Sequence, residues 1–266
     1  MRDDQVWSLT TQEFYHALAE AGQLRFPRSF ASGIISSHED ADSARMWDQR
    51  VRAEFRESIT PRKQWALRAL GRPTYQLELV GCDVTRDVTD PSHYVRAYGF
   101  WADGDDAFVA RQLPGPKHVV GGQVQISRCS VGAWTRELVG GLPSGVGAGS
   151  LPTDPAVQFE DSMLGSTRFR VVSESAPHKT AAAVFRHLTP TLAGQMFATV
   201  HAIDGSDRRW EMELRFHDIA EDGRYLLVVD DVGVAMGADT TTVAKTLNRV
   251  FNTLKRRRDS DARSVG

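Results

Sequence analysis

The chain has 266 residues, enough for one large domain or two closely packed halves. With 41% hydrophobic and 25% charged residues it reads as an ordinary soluble globular protein rather than a disordered or fibrous one. A formal net charge of -2 gives no overall pull toward nucleic acid or anionic membrane, and no apolar run approaches the ~18 residues of a membrane span.

Cys82 and Cys129 could pair only once, so free thiols in a reducing compartment are expected. Met1 to Trp7 lacks the apolar centre of a signal peptide, and the expected location is the cytoplasm.

Val6 to Leu9 suits a short first strand. Thr10-Thr11-Gln12-Glu13 has capping-box spacing, and the helix behind it buries Phe14, Ala17, Leu18 and Ala21 before Gly22 ends it. Leu24 to Pro27 is an apolar connector. Ser36 to Ser58 carries a helical stripe of Ala44, Trp47, Val51 and Phe55, and Thr60-Pro61 restarts a helix through Leu70 that Gly71-Arg72-Pro73 stops. Strands are expected at Tyr75 to Leu79, Tyr94 to Ala102, Ala107 to Leu113 and Gln123 to Arg128, with an Asp103-Gly104 turn between the second and third. Val131 to Leu142 reads as a helix with Trp134 and Leu138 on one face. Pro143 to Asp154, rich in Gly, Ser and Pro, reads as a flexible linker or mobile loop.

A helix is expected over 178–188, then a strand at Met196 to Ile203 and a turn at Gly205-Ser206-Asp207. From Arg209 the chain alternates strictly: Trp210, Met212, Leu214 and Phe216 point one way, and Glu211, Glu213, Arg215 and His217 the other. Ala220-Glu221-Asp222-Gly223 supplies turn residues, with Gly223 free to take a positive φ, and a second strand follows through Val229. After a short crossing segment, Asp239 or Thr240 can cap a helix whose Val243, Leu247, Val250, Phe251 and Leu254 form one stripe. Past Leu254 the basic, polar end is expected to fray as a tail over 256–266.

The two halves rhyme. Leu70 answers to Leu188 and Gly104 to Gly223 at nearly the same spacing, as an old duplication with a pseudo-two-fold axis would leave them. The expected organisation is one domain over 1–266, with halves at 5–142 and 156–255 joined by a linker at 143–155.

Catalytic and metal signatures are missing. None of the eight histidines has metal-ligand spacing, His38-Glu39-Asp40 suits a helix start, and no phosphate-binding loop or nucleophile elbow is present. Gly145 to Gly149 lacks the strand and helix of a dinucleotide loop. His201 and His217 fall on adjacent strands and could face each other. No catalytic residue, metal or cofactor is assigned, which favours a binding protein over an enzyme.

Four passages resemble the EspG family, the cytosolic chaperones of type VII (ESX) secretion in actinobacteria. They are Trp7 to Phe14 with Phe26-Pro27, Leu67 to Leu79 with its Arg72-Pro73, Val95 to Ala102 running on to Arg111, and Phe216 to Leu226. The last is similar to the family's hairpin ending in Gly-Arg-Tyr, although Ile219 stands where the family usually has Thr and the segment after Val229 is shorter. The resemblance implies an α+β fold of two quasi-symmetric halves with a central antiparallel β-sheet and flanking helical bundles. It also implies a chaperone that grips the apolar tip of a helical PE–PPE-like heterodimer, keeping it soluble and targeting it to the secretion machine.

In this chain the family's gripping loop falls within Gly81 to Ser92, and Val84, Thr85, Arg86, Asp87 and Val88 become candidate partner-binding residues. Thr241, Lys245 and Asn248 on the last helix join them. The expected partner is a helical type VII substrate, with no nucleic acid, no membrane insertion, and a monomer or weak homodimer as the assembly. Two alternatives remain: a small-molecule binder or enzyme using a cleft between the halves near His201, His217 and Tyr225, and a self-associating structural protein.

Overall fold

Alternation in the sequence becomes one antiparallel sheet. The computed structural model describes residues 5–23, 25–34, 40–102, 104–150, 154–160, 168–171, 189–229 and 233–264. In chain order the elements are β1 (Gln5–Leu9), α1 (Thr11–Glu20), α2 (Ala41–Glu57), α3 (Pro61–Gly71), β2 (Tyr75–Asp83), β3 (Tyr94–Trp101), β4 (Asp106–Gln112), β5 (Val124–Ser130) and α4 (Trp134–Val139). They continue as β6 (Asp154–Glu160), β7 (Arg168–Val171), β8 (Pro190–His201), β9 (Arg209–Ile219), β10 (Gly223–Val229), β11 (Gly233–Gly237) and α5 (Thr240–Ser264). The expected helix over 178–188 lies outside the described residues.

The strand order is β1-β5-β4-β3-β2-β8-β9-β10-β11-β6-β7. β2 and β8 pair at the centre, Leu79 opposite Met196, and from them β3-β4-β5 run outward on one side and β9-β10-β11 on the other. β1 closes the first meander against β5, and β6 closes the second against β11. The strand order on the two sides of the central pair is thus mirrored.

Each face of the sheet buries its own core. On one face Leu77, Leu79, Met196, Leu214 and Phe216 pack with Trp134 and Leu138 of α4 and with Val243, Leu247 and Leu254 of α5. On the other, Trp7, Leu9, Phe100 and Phe108 pack with Phe14 of α1, Phe55 of α2, and Leu67 and Leu70 of α3. Full burial of each such side chain stabilises the fold by roughly 1.5–3 kcal/mol. The helix starts follow the sequence: Thr10 and Glu13 form the capping box, Thr60 caps α3 with Pro61 in its first turn, and Asp239 accepts from the Thr242 amide to cap α5. α2 departs from its expected stripe, since only Phe55 is buried while Ala44, Trp47 and Val51 stay partly exposed.

Three features differ from the sequence reading. The segment before the last helix forms the strand β11. β6 begins at Asp154, where a linker is expected to end. The tail does not fray after Leu254: α5 continues to Ser264, with Arg258 buried and the Trp210 indole donating to Asp261 at 2.7 Å. Among the described residues no helix is long and apolar enough to cross a membrane.

Candidate partner-binding site

The β9–β10 hairpin turns through Ala220 to Asp222, with Gly223 at φ +147° as its sequence requires. Asp218 and Arg224 sit directly opposite each other on the two strands. Arg224 donates through Nε and Nη2 to the two Asp218 carboxylate oxygens, at 2.6 and 2.8 Å, and both side chains are buried. The guanidinium also donates to Thr240 Oγ1 at the start of α5 and to the Pro143 carbonyl. The Arg224 amide donates to Gly147, and its carbonyl accepts from Gly149 and Ala238. One residue thus fastens the hairpin, the 143–149 segment and the first turn of α5 together. Gly149 is required there, because a Cβ would come within 2.0 Å of the Tyr225 ring. A composition that suits a linker here serves close packing.

At the same end of the sheet, β2 runs out at Asp83 into the loop before β3. Its sequence, Asp83-Val84-Thr85, Asp87-Val88-Thr89, Asp90-Pro91-Ser92, folds into three successive Asx turns. Asp83 Oδ1 accepts from the Thr85 amide (3.0 Å) and hydroxyl (2.6 Å), and Asp87 Oδ1 does the same with Thr89 (2.8 and 2.7 Å). Asp90 Oδ1 accepts from the Ser92 amide at 2.8 Å. These bonds favour the ionised carboxyls: the Thr85 hydroxyl holds Asp83 below the usual range, the Thr89 hydroxyl holds Asp87 there, and the Ser92 amide does so for Asp90. The Val84 amide donates to Thr191 of β8, and the Tyr94 hydroxyl and His93 Nδ1 donate to the Val88 and Asp87 carbonyls. A loop with its backbone satisfied in this way is pre-organised. It holds Val84 and Val88 outward, 40% and 51% exposed.

Beside the loop, the Arg96 guanidinium stacks 4.5 Å over the Tyr94 ring and donates to the His118 carbonyl, while Tyr94 lies parallel to the His118 ring. No carboxylate pairs with Arg96 among the described residues, and its Nε is buried without an acceptor. Burial lowers the Arg96 pKa and raises those of Cys82 and Tyr94, leaving Arg96 the uncompensated charge of the group. Beneath the loop, Phe216 lies across the facing glycines Gly81 and Gly194, where added Cβ atoms would approach its ring to 2.8 and 2.2 Å.

The sequence profile of the EspG family matches residues 10–249. The chain belongs to the EspG family. Its fold is similar to that of the Mycobacterium tuberculosis type VII secretion system chaperone EspG5, whose structure was solved in complex with the PE25–PPE41 dimer. The two share 11% identity over 93% of this chain and 96% of the EspG5 chain, with a TM-score of 0.54, which is a likeness of fold. No curated protein matches the sequence.

In this EspG-family chain the candidate loop residues divide by role. Val84 and Val88 are offered to solvent. Thr85 and Asp87 spend their polar atoms inside the loop, and Arg86 forms an exposed pair with Asp83 at 3.3 Å that contributes little stability. Thr241, Lys245 and Asn248 are exposed along one side of α5, and Asn248 accepts from Thr135 of α4. Among the described residues no hydrogen bond or ion pair joins these three to the loop, although Thr240 at the head of α5 reaches the same end of the sheet through Arg224. Tyr94 and Arg96 fall in an expected strand but not among the candidate partner-binding residues, and the sequence signal for them is an arginine within a largely apolar strand.

The two histidines do not meet. His201 pairs across the strands with Arg209 and bonds to Gln76 at one end of the sheet, while His217 lies opposite Ala193 and Tyr225 near the other. His217 and Tyr225 thus face each other, but His201 lies at the far end of β8, so the expected cluster of His201, His217 and Tyr225 is not assembled.

Proposed function

We propose that this EspG-family chain is a cytoplasmic type VII secretion chaperone. It covers the apolar tip of a helical PE–PPE-like heterodimer, keeps that client soluble and delivers it to the secretion machinery, and it has no catalytic role. The observation that carries the reading is the loop from Asp83 to Ser92: two valines stand in solvent on a backbone locked by its own aspartates. An exposed apolar tip on a secreted helical pair would self-associate, and a partner that covers it favours the soluble state by mass action. Pre-organisation lowers the ordering cost of that contact, and reversible release suits a standard interface of ~1,200–2,000 Å².

Val84 and Val88 meet the tip, with Thr85, Asp87 and Arg86 shaping the loop around them. Thr241, Lys245 and Asn248 form a secondary contact on α5. Arg96 supplies a cation to backbone carbonyls or a carboxylate at the tip. The free chain is a monomer or weak homodimer.

The test is co-expression with the PE–PPE-like pairs of the chain's own host, followed by size-exclusion chromatography with light scattering. A one-to-one complex with one such pair, lost in Val84→Asp/Val88→Asp, is the expected result. Failure of every pair to form a complex, or an unchanged complex with the double variant, would overturn this reading.

A further inference from the structure

A cleft of about 450 Å³ opens at the end of the sheet, directly beside the loop. Pro143, Val146, Leu192 and Ile219 give it apolar walls, and Asp83 and Glu221 stand among its carboxylates. It is continuous with the proposed client surface: Asp83 lines the cleft and begins the loop, and Thr191 lines it while accepting from the Val84 amide.

Every ionisable side chain lining the cleft is a carboxylate, but most are already satisfied. Arg224 neutralises Asp218, Tyr225 and the Ser150 amide bond Asp222, and Thr85 and Arg86 engage Asp83. Glu221 is the exception, since no described residue bonds to it. It is also the one non-glycine residue with a positive φ, +59°, among the described residues. Glycine would take that turn position without steric cost.

We infer that the cleft is an anchor site for a long basic side chain, lysine or arginine, projecting from the helical client next to its apolar tip. The aliphatic stem lies against Pro143, Val146, Leu192 and Ile219, and the cationic head meets Glu221. Charge complementarity selects this occupant, because the walls suit a methylene chain and the free group at the rim is an anion. The identity of the partner rests on the chaperone reading; the chemistry of the cleft does not.

The test uses agmatine, a guanidinium joined by a four-carbon chain to an ammonium, titrated into the full chain and followed by backbone amide NMR. Saturable shifts confined to residues 144–147, 191–192 and 218–223 are expected, at least fivefold weaker in Glu221→Gln and unchanged in Glu57→Gln, an exposed acid on α2. Glu221→Gly is expected to unfold at a higher temperature and to bind agmatine as poorly as Glu221→Gln. Absence of saturable shifts, or equal binding by Glu221→Gln, would overturn the assignment of the cleft. Neither result bears on whether a client binds the loop, which the co-expression experiment decides separately.

Discussion

Asp218 and Arg224 face each other across β9 and β10 and close a two-point ion pair, with Arg224 fully buried and Asp218 4% exposed. The pair ties together the two strands of this chain's Phe216 to Leu226 hairpin. It joins two strands locally, and through Thr240, Pro143 and Gly147 it also fixes where α5 starts and where the 143–149 segment lies. Removing one partner strands the other's charge in the interior, which typically costs ~3–5 kcal/mol. Arg224→Met and Asp218→Leu are each expected to lose stability on that scale in urea unfolding. The double variant should lose less than the sum of the two. Strict additivity would show that the two residues do not act as a pair.

The loop calls for the opposite outcome, a change in binding with little change in stability. Val84 and Val88 are exposed, so Val84→Asp and Val88→Asp should alter the unfolding free energy by no more than ~0.5 kcal/mol. Each should weaken client binding about tenfold, which corresponds to ~1.4 kcal/mol. Asp87→Ala removes the acceptor for the Thr89 amide and hydroxyl, and should speed amide exchange across 87–93 while leaving the strands protected. Isothermal titration with the co-purified client and hydrogen exchange of the free chain read the two effects separately.

Beneath the loop, Gly81 and Gly194 accept the ring of Phe216. A Cβ at Gly194 would lie 2.2 Å from Phe216 Cζ and 2.4 Å from the Val80 carbonyl oxygen, so the ring cannot relieve the clash alone. Gly194→Ala is expected to destabilise by ~1–3 kcal/mol, the usual cost of overpacking a core. Phe216→Leu in the same chain should recover only part of that, because the backbone oxygen remains. Full recovery would place the whole clash on the ring.

How far the sequence reveals this depends on whether a contact is local. The hairpin is legible because strict alternation from Trp210 to His217 and the Asp222-Gly223 turn are properties of neighbouring residues, and the capping box at Thr10 is legible for the same reason. The EspG-like order of motifs rests on such local features and points to the right fold. The loop is expected from Gly81, whereas β2 runs on to Asp83, and its rigidity lies in the repeated spacing of Asp with Thr or Ser two residues on, a polar pattern that apolar periodicity does not register. β11 was missed because Gly233 to Gly237 carries too few large residues to show a period of two. The close packing of 147–149 and the extension of α5 past Leu254 depend on Arg224, Tyr225 and Trp210, partners far away in the chain. Arg96 is not legible as special in the sequence, since it is a fact of three dimensions that no carboxylate pairs with it among the described residues.

His217 makes stability depend on pH in a defined window. Burial first, and then the Arg215 charge, lower its pKa from 6.5 to about 4, with Asp218 opposing them. The folded state therefore disfavours the protonated imidazole that the unfolded chain accepts. Below about pH 6.5 the unfolded state binds more protons, so stability present above that pH is lost progressively as pH falls toward 4, by up to about 1.4 kcal/mol per unit. The carboxyls of Asp83, Asp87 and Asp90 are held low, so their losses fall at the acid end of this window or beyond it. His217→Gln should flatten the slope of unfolding free energy between pH 6.5 and 4.5 while leaving the acid limb in place. His201 is also lowered by burial, so the His217 share is the difference between His201→Gln and the double variant. An unchanged slope in that comparison would show that His217 titrates normally in the folded protein.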